Sequence, residues 1–206
     1  MALSTFSELK TAVADFLNRS DLTSVIPTFI SLAEADFNRR IRHRKMLERS
    51  TATLDSHFTA LPTDFLEAYN VQLNTSPLRP LEYITPEYAD ELRHGRFQAA
   101  GQPYYFTIIG DTLEAIPVPD TSYTIELTYY KAIAALSDAA PSNWLLSSHP
   151  DLYLYASLAA SAPYLKEDER LPMWIQWKDK MIADLNAQSE RSEVSGSVLK
   201  IRARLW

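Results

Sequence analysis

Apolar positions in the first forty residues recur every three or four places. Leu9, Val13, Phe16 and Leu17 share one helical face; Ile26, Phe29, Ile30, Ala33 and Phe37 share another, which Ile41 continues. Thr5-Phe6-Ser7-Glu8 has the form of a capping box, in which a threonine hydroxyl and a glutamate three residues on each take up an unpaired backbone N–H. The first helix is predicted to run from there to Asn18. For the second, Thr23 or Ser24 is the expected cap, and Pro27 falls in the first turn, where a missing N–H is tolerated.

From Arg49 the period shortens to two. ATL, FTALP, AYNVQL and PLRPLEYI read as short strands between turns, and Thr85-Pro86-Glu87 opens a short helix that stops at Gly95. YYFTII, Gly110-Asp111 and TLEAIP carry a hairpin signal, and YTIELTYY (123–130) is predicted as its third strand. Helical spacing returns near Ser148, where Ser148-His149-Pro150-Asp151 resembles a second capping box. DLYLYASLAASAPYL is apolar on every side, which predicts the most buried helix. Asp168 is the expected cap of a last helix with the stripe Leu171, Trp174, Ile175, Met181, Ile182 and Leu185, fraying into AQSERSEVSGS. The pattern predicts an α+β fold. An α-helical bundle of two N-terminal helices (1–48) and two C-terminal helices (133–191) carries an inserted antiparallel β module with one short helix (49–132). A flexible linker and an extended C-terminal arm (192–206) follow.

The arm alternates. Leu199, Ile201, Ala203 and Leu205 point one way, and Lys200, Arg202, Arg204 and Trp206 the other, with Val198 at its start. Ser192, Ser195, Gly196 and Ser197 loosen the chain before it. Such a strand either tucks back on its own domain or reaches another molecule.

Charge sharpens this picture. The net charge is −6, but 38–45 (NRRIRHRK) holds five cations and the arm three; the other residues carry 12 cations against 26 acids, or −14. An acidic body with two small basic patches argues against a general nucleic-acid binder and suits docking between copies or onto a partner. Arg39, Arg40, Arg42, Arg44 and Lys45 ring the end of the second helix and are the candidate subunit interface. At 206 residues the chain is one domain, or one with an insertion. MALSTFSELK lacks a signal peptide's basic start and apolar run, and Leu152–Leu165 is too short for a bilayer, so a soluble chain without membrane contact is expected.

Candidate chemistry is sparse. There is no cysteine, and His43, His57, His94 and His149 show no metal-ligand spacing. No GxSxG elbow, P-loop or GxGxxG is present, and four glycines leave little for a phosphate-cradling loop. Glu67, Asp111, Glu114, Glu126 and Asp151 could supply a carboxylate pair, but nothing in their spacing brings two together. Helix capping accounts for Ser148 and Asp151, so His149 and Asp151 need not be an acid/base pair. No enzyme activity, catalytic residue, cofactor or metal is expected.

Four stretches carry a resemblance: LKTAVADFLNRSDLTSVIPTFISLAEADFNRRIRHRK, LPTDFLEAYNV, GDTLEAIPVPDTSYTIELTYYKAIAALSD and NWLLSSHPDLYLYASLAASAPYLKEDERLPMW. In this order they resemble the head-to-tail adaptor (connector) proteins of tailed bacteriophages, over nearly the whole chain. The resemblance implies a structural virion protein at the portal–tail junction, assembled in the host cytoplasm. It implies a closed ring of copies, commonly a dodecamer, beneath the portal protein. Such a ring extends the channel through which genomic DNA passes without sequence-specific binding and offers a surface to tail or nozzle proteins. It also implies that the C-terminal arm, Val198–Trp206, reaches onto the portal. Two other readings stay open: a nucleic-acid-binding module using 38–45 and the arm, or a virion-associated peptidoglycan hydrolase. The latter activity has been associated with some short-tailed-phage relatives, but no residue here maps to it.

Overall fold

The computed structural model describes residues 3–165 and 170–194, so the arm Val198–Trp206 and the expected cap Asp168 lie outside the described residues. The elements begin with α1 (Phe6–Leu17), α2 (Ile26–Arg40), β1 (Leu47–Leu54), β2 (Phe58–Ala60) and β3 (Phe65–Leu73). They continue with β4 (Arg79–Pro80), β5 (Glu82–Tyr83), α3 (Pro86–His94), β6 (Tyr105–Ile109), β7 (Thr112–Ile116) and β8 (Tyr123–Lys131). The described part ends with α4 (Trp144–Ser148), α5 (Pro150–Leu165) and α6 (Leu171–Val194). The fold is mixed α+β, and the chain divides into two compact units, Met1–Lys45 with Ile133–Trp206, and Met46–Ala132.

In the helical unit, Thr5 and Glu8 close the capping box of α1, and Asn18 ends the helix at φ 52°, a left-handed position that asparagine tolerates. Neither Thr23 nor Ser24 caps α2. Val25 takes the cap position in a helical conformation without a side-chain bond, and the Thr23 hydroxyl donates to Ser20 O instead. The turn over 21–25 already leads into the helix, so no separate cap is required. Helical structure also returns earlier than Ser148. Asn143 caps α4 by accepting from the Leu146 N–H, and Ser148 is that helix's last residue. All-round apolarity puts α5 in contact with α1, α2, α4 and α6; Leu152, Tyr153 and Leu158 are fully buried. Phe37 meets Tyr153 edge-on at 5.1 Å, and Trp174 and Ile182 bury the stripe of α6.

The stripe expected to carry α2 past Ile41 stops at Arg40, and Ile41 is extended (φ −92°, ψ 129°). The cause lies 145 residues away in sequence, on α6, which stays helical through Val194. Asn186 grips both sides of the exit: its amide donates to Arg40 O and its Oδ1 accepts from the Arg42 N–H. Ser189 Oγ, buried on the next turn of α6, accepts from the Arg44 N–H.

The β unit holds two sheets, ordered β1-β8-β3-β4 and β2-β7-β6-β5. β6 and β7 form the expected hairpin, with Gly110 at φ 58° as the first residue of a two-residue loop, where glycine is favoured. β8 is not the hairpin's third strand. It pairs antiparallel with β1 and β3 in the other sheet, and the edge of β7 that a third strand would take is occupied by β2 instead. The module is not wholly antiparallel either: β5 runs parallel to β6, since the two are joined through α3 rather than by a tight turn. The alternation of β8 sends Ile125, Leu127 and Tyr129 into a core shared with Leu54, Val71 and Leu73 and with Phe106, Leu113 and Ala115 of the second sheet. On that sheet's other face Ile84, Ala89 and Ile116 pack under α3 with Leu92, Phe97 and Tyr105.

Candidate functional site

The five cations of 39–45 separate into two groups. Arg40 Nη1 sits 2.7 Å from Asp179 Oδ1 and 3.4 Å from Asp36 Oδ2. Asp36 also holds Lys178 Nζ at 3.0 Å and Arg39 Nη2 at 3.5 Å. Burial pushes the Asp36 carboxyl upward, but Lys178, Arg40 and Arg39 outweigh it and hold the group below the usual carboxylate range. Arg42 is half-buried, and its guanidinium donates to Asn38 O and Ile41 O. Arg40 and Arg42 thus fasten the end of α2 to its own unit. Arg39, Arg44 and Lys45 are exposed. Lys45 donates to Ser148 Oγ at 3.0 Å and lies over the Trp144 ring, on which buried His43 also stacks. Burial, then the charges of Arg44, Lys45 and His149, push the His43 pKa down.

On the same unit, an open groove of about 540 Å³ is lined by Asp151, Tyr155, Trp177, Lys180, Met181 and Asp184. Tyr155 and Trp177 meet edge-on at 4.7 Å, and Trp177 is 40% exposed. This is a half-wet aromatic surface beside two carboxylates.

Two buried polar clusters were not read from the sequence. In the helical unit Glu34 Oε1 accepts from the Leu136 N–H at 2.8 Å and from the Tyr153 hydroxyl at 3.2 Å. The Asn143 amide donates to both Tyr153 Oη and Ala134 O. Burial pushes the Glu34 carboxyl up, against the lowering effect of those two donors, and pushes the Tyr153 phenol up as well. In the β unit Glu114, 2% exposed, has Oε1 2.8 Å from both Arg93 Nη1 and His57 Nε2. Neither approach is aligned as a hydrogen bond, so the attraction between Glu114 and Arg93 is mainly Coulombic. Arg93 also pairs with Asp90 on its own helix. One signal could have exposed this cluster: an acid between Leu113 and Ala115 in a strand destined for the interior has to meet a cation.

Of the histidines and acids singled out by sequence, His57 and Glu114 are brought together as an ion pair among the described residues. They sit with a guanidinium, an arrangement that ties the residue before β2 to β7 and α3. Glu126 instead accepts from Gln72 and pairs with Arg49 within its own sheet. Among the described residues no group of three or more histidines or acids could hold a metal ion, and no helix is long and apolar enough to cross a membrane.

No curated protein matches the chain. A family model does, over residues 4–201, which takes in both units, and by that match this chain belongs to the SU10 adaptor protein family.

Proposed function

We propose that this phage structural adaptor works as a ring of identical copies beneath the portal protein, extending the DNA channel and presenting an attachment surface to tail or nozzle proteins. The observation that carries this reading is the family match along almost the entire chain. The helical unit, read as the bundle of the ring, supplies two unlike faces, as a closing head-to-tail contact requires. The exposed cations Arg39, Arg44 and Lys45 mark one, and the Asp151–Asp184 groove with its aromatic floor marks the other. The acidic remainder of the body keeps passing DNA phosphates from adhering. Twelve copies is the expected ring size. The arm Val198–Trp206 is the portal-seeking element: nine extended residues reach roughly 30 Å, enough to leave the subunit.

Deleting 198–206 is expected to leave unfolding of the protein unchanged and to abolish its capture by portal rings, scored by mass measurement of the protein alone and with the portal protein of its virion. Capture that survives the deletion removes the arm from the interface. Reversing Arg39 and Arg44 to Glu is expected to prevent ring closure on the portal while shifting subunit stability by no more than about 0.5 kcal/mol, as exposed substitutions do. Loss of the folded monomer in that variant would assign both arginines to the subunit's own stability instead.

A further inference from the structure

A continuous trough lies between α5 and α6. The groove of about 540 Å³ at Tyr155 and Trp177 shares Asp151, Met181 and Asp184 with a second of about 210 Å³, which Leu185 and Gln188 line further along α6. The lining is largely apolar and aromatic, and the Trp177 ring is partly open to solvent. Asp151 and Asp184 line both stretches and are exposed. Among the described residues neither carboxylate has a hydrogen bond or an ion pair, unlike the neighbouring Asp179, which takes Arg40. Lys180 is the one permanent cation of the lining. Two unpaired carboxylates beside an indole and a phenol ring suit a cationic side chain, which can lie over the ring and pair with the acid together.

We infer that this trough holds the chain's own Val198–Trp206 segment until the portal takes it; the inference rests on the adaptor reading for the portal's claim on that segment. The match is one of charge and of reach. At the strand period Lys200, Arg202, Arg204 and Trp206 share a face, so three cations and an indole turn together toward the carboxylates and rings. The opposite face, Leu199, Ile201, Ala203 and Leu205, stays outward, where a portal groove can seize it first. The trough is built on the same helix that leads into the segment. Asp184 lies ten residues before Val194, about 15 Å along α6, and Trp177 seventeen before it, about 26 Å. Lys200 and Trp206 follow Val194 by six and twelve residues, or about 20 and 40 Å of extended chain. Ser195-Gly196-Ser197 are residue types that let a chain reverse direction. A tether this short gives the segment a millimolar effective concentration at its own trough. In the ring reading the exposed Arg39, Arg44 and Lys45 of a neighbouring copy need the same carboxylates. A parked arm therefore blocks ring closure, and a portal that draws the arm away permits it.

The test titrates the fluorescein-labelled peptide VLKIRARLW, followed by anisotropy, into three full-length proteins. They are the wild type, the Arg202→Glu/Arg204→Glu variant, whose own arm no longer competes, and that variant with Asp184→Lys added at an exposed position of α6. The peptide is expected to bind the arm variant at least about tenfold more tightly than the wild type, the margin that a tethered competitor imposes. Asp184→Lys is expected to weaken that binding at least about tenfold, and Asp151→Asn, on α5, gives a second reading of the same groove. Equal binding to wild type and arm variant overturns the inference, as does binding that both groove substitutions leave unchanged. So does a wild-type dimer, seen by mass measurement, that Asp184→Lys dissociates, since the arm then lies in a second copy. Capture of the wild type by portal rings is scored in parallel. If the peptide pattern holds without capture, the portal reading alone falls; if capture holds without the pattern, the parked arm alone falls.

Discussion

Arg93→Ala is expected to destabilise the protein by about 3–5 kcal/mol, because it strands a buried carboxylate. Glu114 is 2% exposed in the middle of β7, and Arg93 on α3 supplies the guanidinium 2.8 Å from its Oε1. Without it, Glu114 keeps His57 but no guanidinium, and the small apolar cluster of Ile84, Ala89 and Ile116 is left to hold α3 to the sheet. The measurement is urea unfolding of wild type, Arg93→Ala, Glu114→Leu and the Arg93→Met/Glu114→Leu pair. Removing both charges into similar volumes is expected to recover most of the loss, since a well-packed apolar pair often does as well as a buried ion pair. The single substitutions should therefore be strongly non-additive. If Arg93→Ala loses less than about 1 kcal/mol, water reaches Glu114 and the cluster is not a lock.

The contrast between this cluster and the first helix explains what was legible in the sequence. The Thr5/Glu8 capping box spans four residues and needs nothing from the rest of the chain, so it reads directly and forms as read. All-round apolarity of α5 likewise announces a helix buried over most of its length. Where α2 ends is a different kind of fact. It depends on Asn186 and Ser189, which a reading of 38–45 alone cannot supply, and the stretch containing them looks like a fraying tail until Arg42 and Arg44 are placed against it. The placement of β8 failed for the same reason. Its alternation fixes which face is buried but not which strands lie beside it, and its neighbours β1 and β3 come from 50 or more residues earlier. For the basic segment, sequence located the cations, and the Asp36 spacing to Arg39 and Arg40 was open to reading as helical i,i+3 and i,i+4 pairs. Asp179, from α6, was not.

Glu34 provides the second large expected effect, and it depends on pH. Its Oε1 accepts from the Leu136 N–H and from the Tyr153 hydroxyl, so Glu34→Ala orphans two buried donors at about 1–3 kcal/mol each. Against this stands the burial of the carboxylate itself, which raises the folded-state pKa above the ordinary 4.5. The folded protein then holds this proton more tightly than the unfolded chain. Glu34 therefore contributes its full stability below about pH 4.5, and the contribution falls as pH rises through the raised folded value, then stays flat. The loss in Glu34→Ala is accordingly expected to be largest in acid and to narrow toward neutrality, where the variant also sheds the cost of burying a charge. Glu34→Gln separates the two effects, because its amide oxygen can accept from both donors while its charge is gone. Relative to wild type it should gain stability as pH rises from about 4.5, the unfolded-chain value, through the raised folded value, and no further above that. Urea unfolding of the three proteins across that range checks it: a Glu34→Gln curve parallel to wild type would mean that the carboxyl titrates alike in the folded and unfolded chains, and that the Asn143–Tyr153–Glu34 network holds the 133–143 connection by hydrogen bonding alone.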